Sequence, residues 1–556
     1  MQKLKKKIQS LQSQTKSKLS LLYSGDEIYI QDNIRYEISC PNRYALEKAE
    51  IMVCIPTGKL NLHPAAEQNK TAVEDFLIRS IKPYFDDINK SLYNKNKQDE
   101  KGFFICQSCS PYILRRNGAF WNDEQTIFLQ IKVSLPIKNN NTINTKGIIT
   151  MLTKLLPQTI EKFICEIDYS QLDLWVETNS KQRQIRNYIE KNDLVSFIGN
   201  GSILPEANTT NIKPFISPES MECTIKFADG TQMLGMGIKK GVTVITGGAY
   251  SGKSTLLDAI ERGVYDHIPT DGKRFVITGQ TAVKICVEDG RPITNVNLSP
   301  FFKPFSYFSD VERFTTTSAS GSASQAANVV EAVCGGAEIL LLDEDQSAHN
   351  FMTKDDFMRK IVRDDPITPY IDRISELYHK NGVSTVIVIG GNSEYFKYAD
   401  TIIFLSDYDT YDYTQRISEE IHKIDRLESS ILEGNWMRQR RIATLEKPYV
   451  CFNNIENIDN KIICIDDYRA DISKLSLPNS EGLVNGIIYV LLQILSKDSF
   501  EKPLVDIIVN AVYEMKHERD LSIRATLYNH WGWCEVPRVV DVLAVANRLT
   551  NIEFAI

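Results

Sequence analysis

The clearest chemical signal in this chain lies in residues 247–255, which read GGAYSGKST. They follow the pattern G-x-x-x-x-G-K-[ST], in which backbone N–H groups wrap a polyphosphate and side chains on the glycines would obstruct it. Lys253 would place a positive charge at the β- and γ-phosphates, and the hydroxyl of Ser254 is a suitable ligand for Mg²⁺. The pattern therefore predicts a site for ATP with Mg²⁺.

Such a loop needs a strand before it and a helix after it. Residues 242–245 are apolar and β-branched, which is typical of a buried strand, and residues 254–260 (STLLDAI) have the apolar spacing of a helix. That helix would direct the positive end of its dipole at the phosphates. A chance match in a glycine-rich turn is the alternative, and the flanking strand and helix argue against it. We expect these residues to contact the nucleotide: Gly247, Gly248, Ala249, Tyr250, Ser251, Gly252, Lys253, Ser254 and Thr255.

A second candidate site is the pair of carboxylates that ends the apolar run 338–344, EILLLDE. A buried parallel strand that ends beside a phosphate loop places its last residues near the nucleotide. Asp343 would hold Mg²⁺, and Glu344 would act as the catalytic residue by polarising the attacking water. Two carboxylates at a strand end can also be merely solvated. Their position about ninety residues after the phosphate loop favours the functional interpretation.

A third segment, SGSASQ at 320–325, precedes a predicted helix beginning near Ser324. Small residues before a helix N-terminus can form an anion site, or they can simply cap a helix behind a loop. In order and spacing, the three segments resemble the ABC ATPase cassette, whose signature serine lies about as far before the acidic strand end as Ser320 lies before Asp343.

The chain also resembles one family within that class, the predicted ATPases of the ABC class. The resemblance covers essentially the whole chain and rests on these stretches: GMGIKKGVTVITGGAYSGKSTLLDAIERGVYDHIPTDGKR, TAVKICVEDGR, SASGSASQAAN, LLLDEDQSAHNFM, DPITPYIDRISELYHKNGVSTVIVIGG and PRVVDVLAVANRL, with weaker matches at AVEDFLIR and LVSFIGNGSILP. Two loops depart from the family pattern, namely TDGK at 270–273 and the linker ILPEANTT. A role of those two loops in substrate binding is therefore less secure.

The resemblance implies an α/β fold with three parts. These are an N-terminal α+β domain over 1–215 that includes a basic tail at 1–22, an ABC-type ATP-binding domain over 216–410, and a mostly helical C-terminal region over 411–556. Within the last region we predict charged helix over 411–446, irregular chain over 447–478 and helices beyond 480.

The resemblance also implies two identical chains arranged head to tail, with ATP between the phosphate loop of one and the signature of the other. Ser320, Gly321 and Ser322 would then contact the γ-phosphate in trans, and hydrolysis would open the pair.

Several positions differ from transporter cassettes. Asn350 replaces the usual aspartate facing the partner, and Gly390, Gly391 and Asn392 stand where a switch histidine is usual. The Q-loop candidates are Gln280 and Glu288, and the latter could equally form a structural ion pair with Arg291.

Composition narrows the functional classes. The chain has 556 residues, a net charge of −7 and 11 cysteines, so it carries no global attraction to nucleic acid. The longest apolar run, near 482–495, is too short to span a bilayer, so no membrane association is expected. The scattered cysteines suit a reducing, cytoplasmic location, with organellar targeting left open. Cys106 and Cys109 form one C-x-x-C, which is read as ordinary thiols rather than a metal or redox site.

Two functions therefore compete. The first is an ATPase that clamps or remodels nucleic acid, with RNA favoured, through Arg438, Arg440 and Arg441 beside Trp436 and through the lysine-rich segment 1–22. The alternative for both features is a solvated charged helix face or tail with no nucleic-acid partner. The second is a slow ATP-dependent regulatory scaffold that binds a protein partner. A third interpretation, a small-molecule kinase, does not explain the signature segment.

Overall fold

The computed structural model describes residues 1–24, 27–40, 45–95, 102–122, 125–205, 213–305, 310–362, 364–421, 436–444, 452, 454–495, 502–517 and 532–555. The chain divides into two compact units. Unit 1 comprises Met1–Asn179, Asn479–Tyr489 and Tyr513–Val536, and unit 2 comprises Ser180–Pro478, Val490–Val512 and Pro537–Ile556. The C-terminal stretches thus contribute to both units.

Helices and strands are interspersed along the chain, in agreement with the predicted α/β class. The helices are α1 (Gln2–Gln9), α2 (Lys70–Lys95), α3 (Thr145–Thr150), α4 (Leu156–Glu166), α5 (Tyr169–Lys191), α6 (Lys253–Arg262), α7 (Gly321–Cys334), α8 (His349–Met352), α9 (Asp356–Ile361), α10 (Ile374–Asn381), α11 (Thr414–Ile421), α12 (Glu481–Ile494), α13 (Leu504–His517) and α14 (Val539–Ala546).

The strands of the described residues fall into six sheets. They are β1 (Ile28–Gln31), β2 (Ile34–Ser39), β3 (Lys48–Pro56), β4 (Phe103–Ile105), β5 (Ala119–Trp121), β6 (Thr126–Ser134), β7 (Leu194–Gly199), β8 (Glu222–Lys226), β9 (Gln232–Lys239), β10 (Val242–Gly247), β11 (Val276–Thr278), β12 (Ala282–Ile285), β13 (Ile293–Val296), β14 (Phe314–Thr316), β15 (Ile339–Asp343), β16 (Ser384–Val388), β17 (Thr401–Ser406), β18 (Asp409–Asp412), β19 (Arg441–Thr444), β20 (Ile455–Ile458), β21 (Ile462–Ile465), β22 (Tyr468–Asp471) and β23 (Glu553–Ala555).

Unit 1 is built on an antiparallel sheet in the order β1-β2-β3-β6-β4, with β5 also paired to β6. Apolar patterns in the sequence predict strands near 36–56 and 126–137 and a helix over 72–85, and the structure has β2, β3, β6 and α2 there. Residues 147–164 read as a helix pair or as one helix broken near Pro157, and the structure has one wide helical turn, Met151–Leu155, between α3 and α4. Because proline lacks an N–H, the backbone in front of it can adopt such a turn at little cost.

The N-terminal lysine-rich segment is not a free tail, contrary to our expectation. Helix α1 buries Leu4 and Ile8, and the turn that follows it buries Leu19 and Leu22. Several of its lysines form ion pairs within unit 1, namely Lys3 and Lys7 with Glu27 and Lys16 with Glu47. The spacing of the leucines therefore marks a packed face, which outweighs the tendency of a lysine-rich segment to stay solvated.

The C-x-x-C of unit 1 behaves as two ordinary thiols. Burial raises the pKa of both Cys106 and Cys109 to about 12, so neither is a thiolate at neutral pH. Within the described residues no group of three or more potential metal ligands is present. The raised pKa values agree with the interpretation of this pair as ordinary thiols.

Unit 2 contains the sheet that positions the predicted site. Its strand order is β12-β15-β16-β10-β17-β18, and all neighbours are parallel except the β17–β18 hairpin. The register places Ile245, Val388 and Asp343 side by side on β10, β16 and β15. The carboxyl ends of these three strands therefore meet at one edge of the sheet.

The C-terminal region is less helical than predicted. In the stretch expected to be irregular, β20, β21 and β22 form an antiparallel sheet. Asp459 and Asn460 both have left-handed φ angles in the first connection, and Asp466 has one in the second. These residues tolerate φ > 0, which produces tight hairpins.

The predicted charged helix over 411–446 is likewise wrong in part. In the described residues it includes α11, but residues 436–440 are not helical and 441–444 form β19, which pairs with β23. This pairing joins residues more than one hundred positions apart, so no local sequence pattern could predict it. The remainder of that prediction lies outside the described residues. No described helix is both long and apolar enough to cross a bilayer.

Candidate nucleotide-binding site

The phosphate loop has the backbone that its glycines require. Gly247 has φ +147° and Gly252 has φ +100°. A Cβ on Gly247 would lie 2.2 Å from the carbonyl oxygen of Leu405, and one on Gly252 would lie 2.7 Å from the Tyr408 ring. These two glycines are therefore needed by the fold itself, before any ligand binds.

Gly248 differs from its neighbours. A Cβ at this position would meet no protein atom within 4 Å. A side chain at position 248 would therefore not clash with the protein itself. It could obstruct only a bound phosphate, as the sequence pattern predicts.

Tyr250 occupies the remaining unusual position of the loop. It has φ +59°, a left-handed conformation that is rare for an aromatic residue and costs roughly 1–3 kcal/mol. Its side chain is 95% exposed. Neither property is visible in the sequence pattern.

Lys253 begins α6 and folds back over the loop. Its Nζ donates hydrogen bonds to the carbonyl oxygens of Gly247 at 2.9 Å and Gly248 at 2.7 Å. The ammonium group is thus held within the loop that the phosphates would enter. A cation at the N-terminus of a helix, beside glycine N–H groups, is an arrangement that suits an anion.

Ser254 and Asp343 meet as predicted. The Ser254 hydroxyl donates to Asp343 Oδ2 at 3.2 Å. Burial raises the pKa of the Asp343 carboxyl above its ordinary value, although bonds from the Asp345 N–H and from Ser254 lower it in part. A divalent cation would compensate this buried charge. One carboxylate and one hydroxyl fit Mg²⁺, which takes its other ligands from phosphates and water.

Glu344 is held at the same edge by the turn that follows β16. Its Oε2 accepts hydrogen bonds from the N–H groups of Gly390 at 2.7 Å and Gly391 at 3.0 Å. Backbone N–H groups thus contact the carboxylate in the segment where a histidine was missing from the sequence. The side-chain oxygen of Asn392 caps the next helical turn by accepting from Glu394 N–H at 3.0 Å.

The signature segment, residues 320–325, starts its helix earlier than predicted. Helix α7 begins at Gly321, and Ser320 is its N-cap, with Oγ 3.4 Å from the Ala323 nitrogen. Ser320 is exposed, whereas the segment is buried from Ala323 onward. In the described part of the chain, the Ser320 side chain bonds only within its own helix start, and the structure does not bring Ser320, Gly321 and Ser322 into contact with the phosphate loop of the same chain.

Gln325 joins the signature helix to the loop after β15. Its side chain is fully buried, donates to Ser347 Oγ at 2.9 Å and accepts from Ala348 N–H at 2.7 Å. Ser347 in turn donates to the carbonyl oxygen of Asp343 at 2.8 Å. These bonds connect α7 to the segment that carries the predicted metal ligand and catalytic carboxylate. Asn350, two residues farther along, is exposed.

Of the two Q-loop candidates, Glu288 has a structural role. Its carboxylate bonds Arg548 and accepts from Asn328 Nδ2 at 2.8 Å on α7. Burial alone would raise the pKa of Glu288, but Arg548, Arg291 and Asn328 together hold it below its ordinary value. Arg291 itself pairs with Glu331 of α7 at 2.6 Å. The other candidate, Gln280, is exposed, and its carbonyl oxygen accepts from Arg538.

Arg548→Ala should lower the free energy of unfolding by about 3–5 kcal/mol, because Glu288 would remain buried without its charged partner. Urea denaturation followed by circular dichroism measures this. Arg438→Ala is the matched control, since Arg438 faces Glu312 at 3.6 Å with side chains 42% and 58% exposed and should cost less than about 1 kcal/mol. Equal, small effects of both changes would contradict the assigned role of Arg548.

A groove lies beside the phosphate loop, next to Gly252 and Thr255, and its lining was missed by sequence analysis. Its other walls are Leu204, Pro205, Lys213, Phe215, Leu405, Tyr408 and Thr410. Phe215 lies in residues 200–220, which are rich in Pro, Asn, Ser and Thr, and Tyr408 belongs to the two-residue β17–β18 turn, where Asp407 and Tyr408 both have left-handed φ angles. The sequence could not show that either segment lies beside the phosphate loop.

The basic cluster near residue 440 is only partly a surface. Trp436 is 5% exposed and packs in the core of unit 2. Arg440 pairs with Glu331 at 3.4 Å and lies over the Phe554 ring. Arg438 and Arg441 are exposed. Stacking of bases on Trp436, which partly motivated the RNA prediction, is therefore not supported.

Comparison with known proteins gives two family models that match adjoining parts of the chain. The P-loop domain model ABC_ATPase matches residues 168–440, and the model for the N-terminal domain of ATPases of the ABC class matches residues 46–167. Together they cover every residue predicted to contact ATP or Mg²⁺.

One curated relative is the uncharacterized protein MJ1628 of Methanocaldococcus jannaschii. It is 29% identical over 225 residues, which are 38% of this chain and 50% of that protein. The chain therefore spans about half the length of this relative.

Two solved structures are similar over part of the chain. One is an ABC transporter described as metal-chelate type, in an inward-facing conformation, with 18% identity, a TM-score of 0.26 and coverage of 40% of this chain and 84% of that one. The other is cbiO1 from Clostridium perfringens, part of the ABC transporter complex cbiONQ, with 14% identity, a TM-score of 0.24 and coverage of 42% and 94%. At these scores neither adds to the description of the site.

Proposed function

Because the chain belongs to the ATPases of the ABC class, we propose that it binds ATP with Mg²⁺ between two head-to-tail copies and hydrolyses it. The observation that carries this proposal is the meeting of Lys253, Ser254, Asp343 and Glu344 at one edge of the sheet of unit 2. Binding, charge neutralisation and activation of water are the three tasks of phosphoryl transfer to water, and each has a residue at that edge.

Each site residue has a defined part in this proposal. The loop N–H groups and Lys253 hold the phosphates, and Ser254 and Asp343 would hold Mg²⁺, which neutralises charge on the β- and γ-phosphates when bound. Glu344 orients the attacking water and accepts its proton. The groove beside Gly252 and Thr255, with the rings of Phe215 and Tyr408, would receive the base.

In this proposal, the second copy contributes its signature segment, residues 320–325, to the site. The Ser320 side chain bonds only within its own helix start among the described residues, and both Ser320 and Ser254 are exposed. An exposed N-cap serine at the positive end of α7 can contact a γ-phosphate supplied by another chain. Two identical sites then form about a twofold axis, and loss of the γ-phosphate removes the contacts that join the copies.

Ser320→Arg tests the contribution of the second copy. We expect hydrolysis to fall about 100-fold, because a bulky side chain would replace the hydroxyl that faces the partner's phosphate. Phosphate release at saturating ATP measures the rate. Ser91→Arg, at an exposed serine of α2, is the control and should change the rate by less than about threefold. A wild-type rate for Ser320→Arg would refute the trans contact.

A second candidate function is a slow ATP-dependent scaffold for a protein partner, and one contact favours it. Both N–H groups that follow β16 bond to Glu344. These two bonds fix the orientation of the carboxylate and leave Oε1 to accept a proton from water, which would slow turnover if Oε1 does not face the γ-phosphate. A turnover number far below 1 per second with tight ATP binding would support this candidate.

RNA as the molecule acted upon stays a prediction. Among the arginines of the basic cluster, it now rests on Arg438 and Arg441, which are exposed. Salt-dependent retention of labelled single-stranded RNA, lost in the double variant Arg438→Ala, Arg441→Ala, would support it. Retention that is unchanged in the variant would exclude this cluster.

A further inference from the structure

Tyr250 stands at the outer side of the phosphate loop with its ring in solvent. The side chain is 95% exposed, more than any other large hydrophobic residue of the described chain. We propose that the Tyr250 ring is a docking contact for a second copy of this chain and packs on that copy's signature segment when ATP is bound. This inference rests on the proposed function and names a residue that would hold the two copies together.

The backbone at Tyr250 argues that the loop itself does not require this residue. Its φ of +59° is one that glycine adopts freely and that aromatic residues rarely adopt. An aromatic residue in a disfavoured backbone conformation indicates that its ring has a functional contact.

That use is not found within the same copy. Among the described residues, the Tyr250 hydroxyl has no hydrogen-bond partner, and no aromatic or cationic group contacts the ring. The ring also does not line the groove beside the loop, whose walls include the neighbouring Gly252, Thr255 and Tyr408. A role in binding the base of its own nucleotide is therefore not indicated.

The proposed arrangement supplies the missing partner. The surface that covers the phosphate loop of one copy is the exposed start of α7 in the other. Its exposed residues include the short side chains of Thr317, Ser318 and Ser320, and Gly290 and the carboxylate of Asp289 lie beside them. Short side chains allow a flat ring to approach the backbone closely, and a tyrosine buried at the centre of an interface commonly contributes strongly to binding.

The test uses the full chain with Glu344→Gln, which slows hydrolysis so that the ATP-bound pair can be measured. Tyr250→Gly removes the ring and suits the left-handed backbone, and Tyr250→Phe is the matched control that retains the ring. At saturating ATP, we expect Tyr250→Gly to raise the dimer dissociation constant at least about 30-fold, since each pair loses two rings. Tyr250→Phe should remain within about threefold of the parent. Sedimentation velocity measures the constant, and titration with a fluorescent ATP analogue measures nucleotide binding separately.

The outcomes separate this inference from the proposed function. If the Glu344→Gln parent forms dimers and Tyr250→Gly forms them equally well, the inference is wrong and the proposed function stands. Tyr250→Gly could instead weaken nucleotide binding while leaving the dimer dissociation constant at saturating ATP unchanged. The ring would then contact the nucleotide bound to its own copy, and the inference would again be wrong. If the parent stays monomeric with ATP, both are wrong.

Discussion

Glu344→Gln should slow ATP hydrolysis by about 10²–10⁴-fold. The amide keeps the size of the side chain, and its oxygen can still accept the N–H groups of Gly390 and Gly391. It cannot, however, accept a proton from the attacking water. The steady-state rate of phosphate release, measured at saturating ATP and Mg²⁺, reports the loss.

The matched control for this change is Glu338→Gln. Glu338 immediately precedes β15, the strand that ends in Asp343, and its side chain is 61% exposed. This control should change the rate by less than about threefold. If Glu344→Gln retained the wild-type rate, another group would have to orient the water, and the assignment of the catalytic residue would be wrong.

Lys253→Ala should weaken ATP binding by about 10²–10³-fold. The ammonium group is the cation inside the loop, and charge-assisted hydrogen bonds to phosphate are among the strongest that a side chain forms. Anisotropy of a fluorescent ATP analogue measures the dissociation constant directly.

Lys240→Ala controls for the loss of a lysine elsewhere in the same unit. Lys240 lies before β10 and reaches Glu338 at 3.9 Å. Its removal should leave the dissociation constant within about threefold. Equal affinities for Lys253→Ala and the wild type would show that the nucleotide does not lie in this loop.

The sequence was most informative where chemistry is local. The phosphate loop, α6 and the acidic end of β15 follow from short contiguous patterns, and the parallel sheet brings Ser254 to Asp343 as expected. The predicted helices of the C-terminal region beyond residue 480 are also confirmed, since their apolar spacing is regular.

Contacts between distant segments could not be predicted in this way. Gly390 and Gly391 bond to Glu344 across more than forty positions, and Gln325 holds the loop after β15 across more than twenty. Glycine N–H groups and a buried glutamine have no distinctive local pattern. The sequence could show that a histidine was absent, but it could not show which group contacts the carboxylate instead.

The incorrect predictions have a related cause. Trp436 beside three arginines resembles an exposed nucleic-acid contact, yet the indole is buried and Arg440 is paired. Charge and aromatic content describe a surface only after the fold has determined which side chains reach it. The same holds for the lysine-rich N-terminus, where buried leucines fix the segment to unit 1.

The central claim is that ATP joins two copies of the chain through the phosphate loop of one and the Ser320 helix of the other. Sedimentation velocity of Glu344→Gln, with and without ATP and Mg²⁺ over a range of protein concentrations, tests it most directly. The account predicts a monomer without nucleotide and a species of twice that mass with ATP. A monomer at every concentration in the presence of ATP would contradict it.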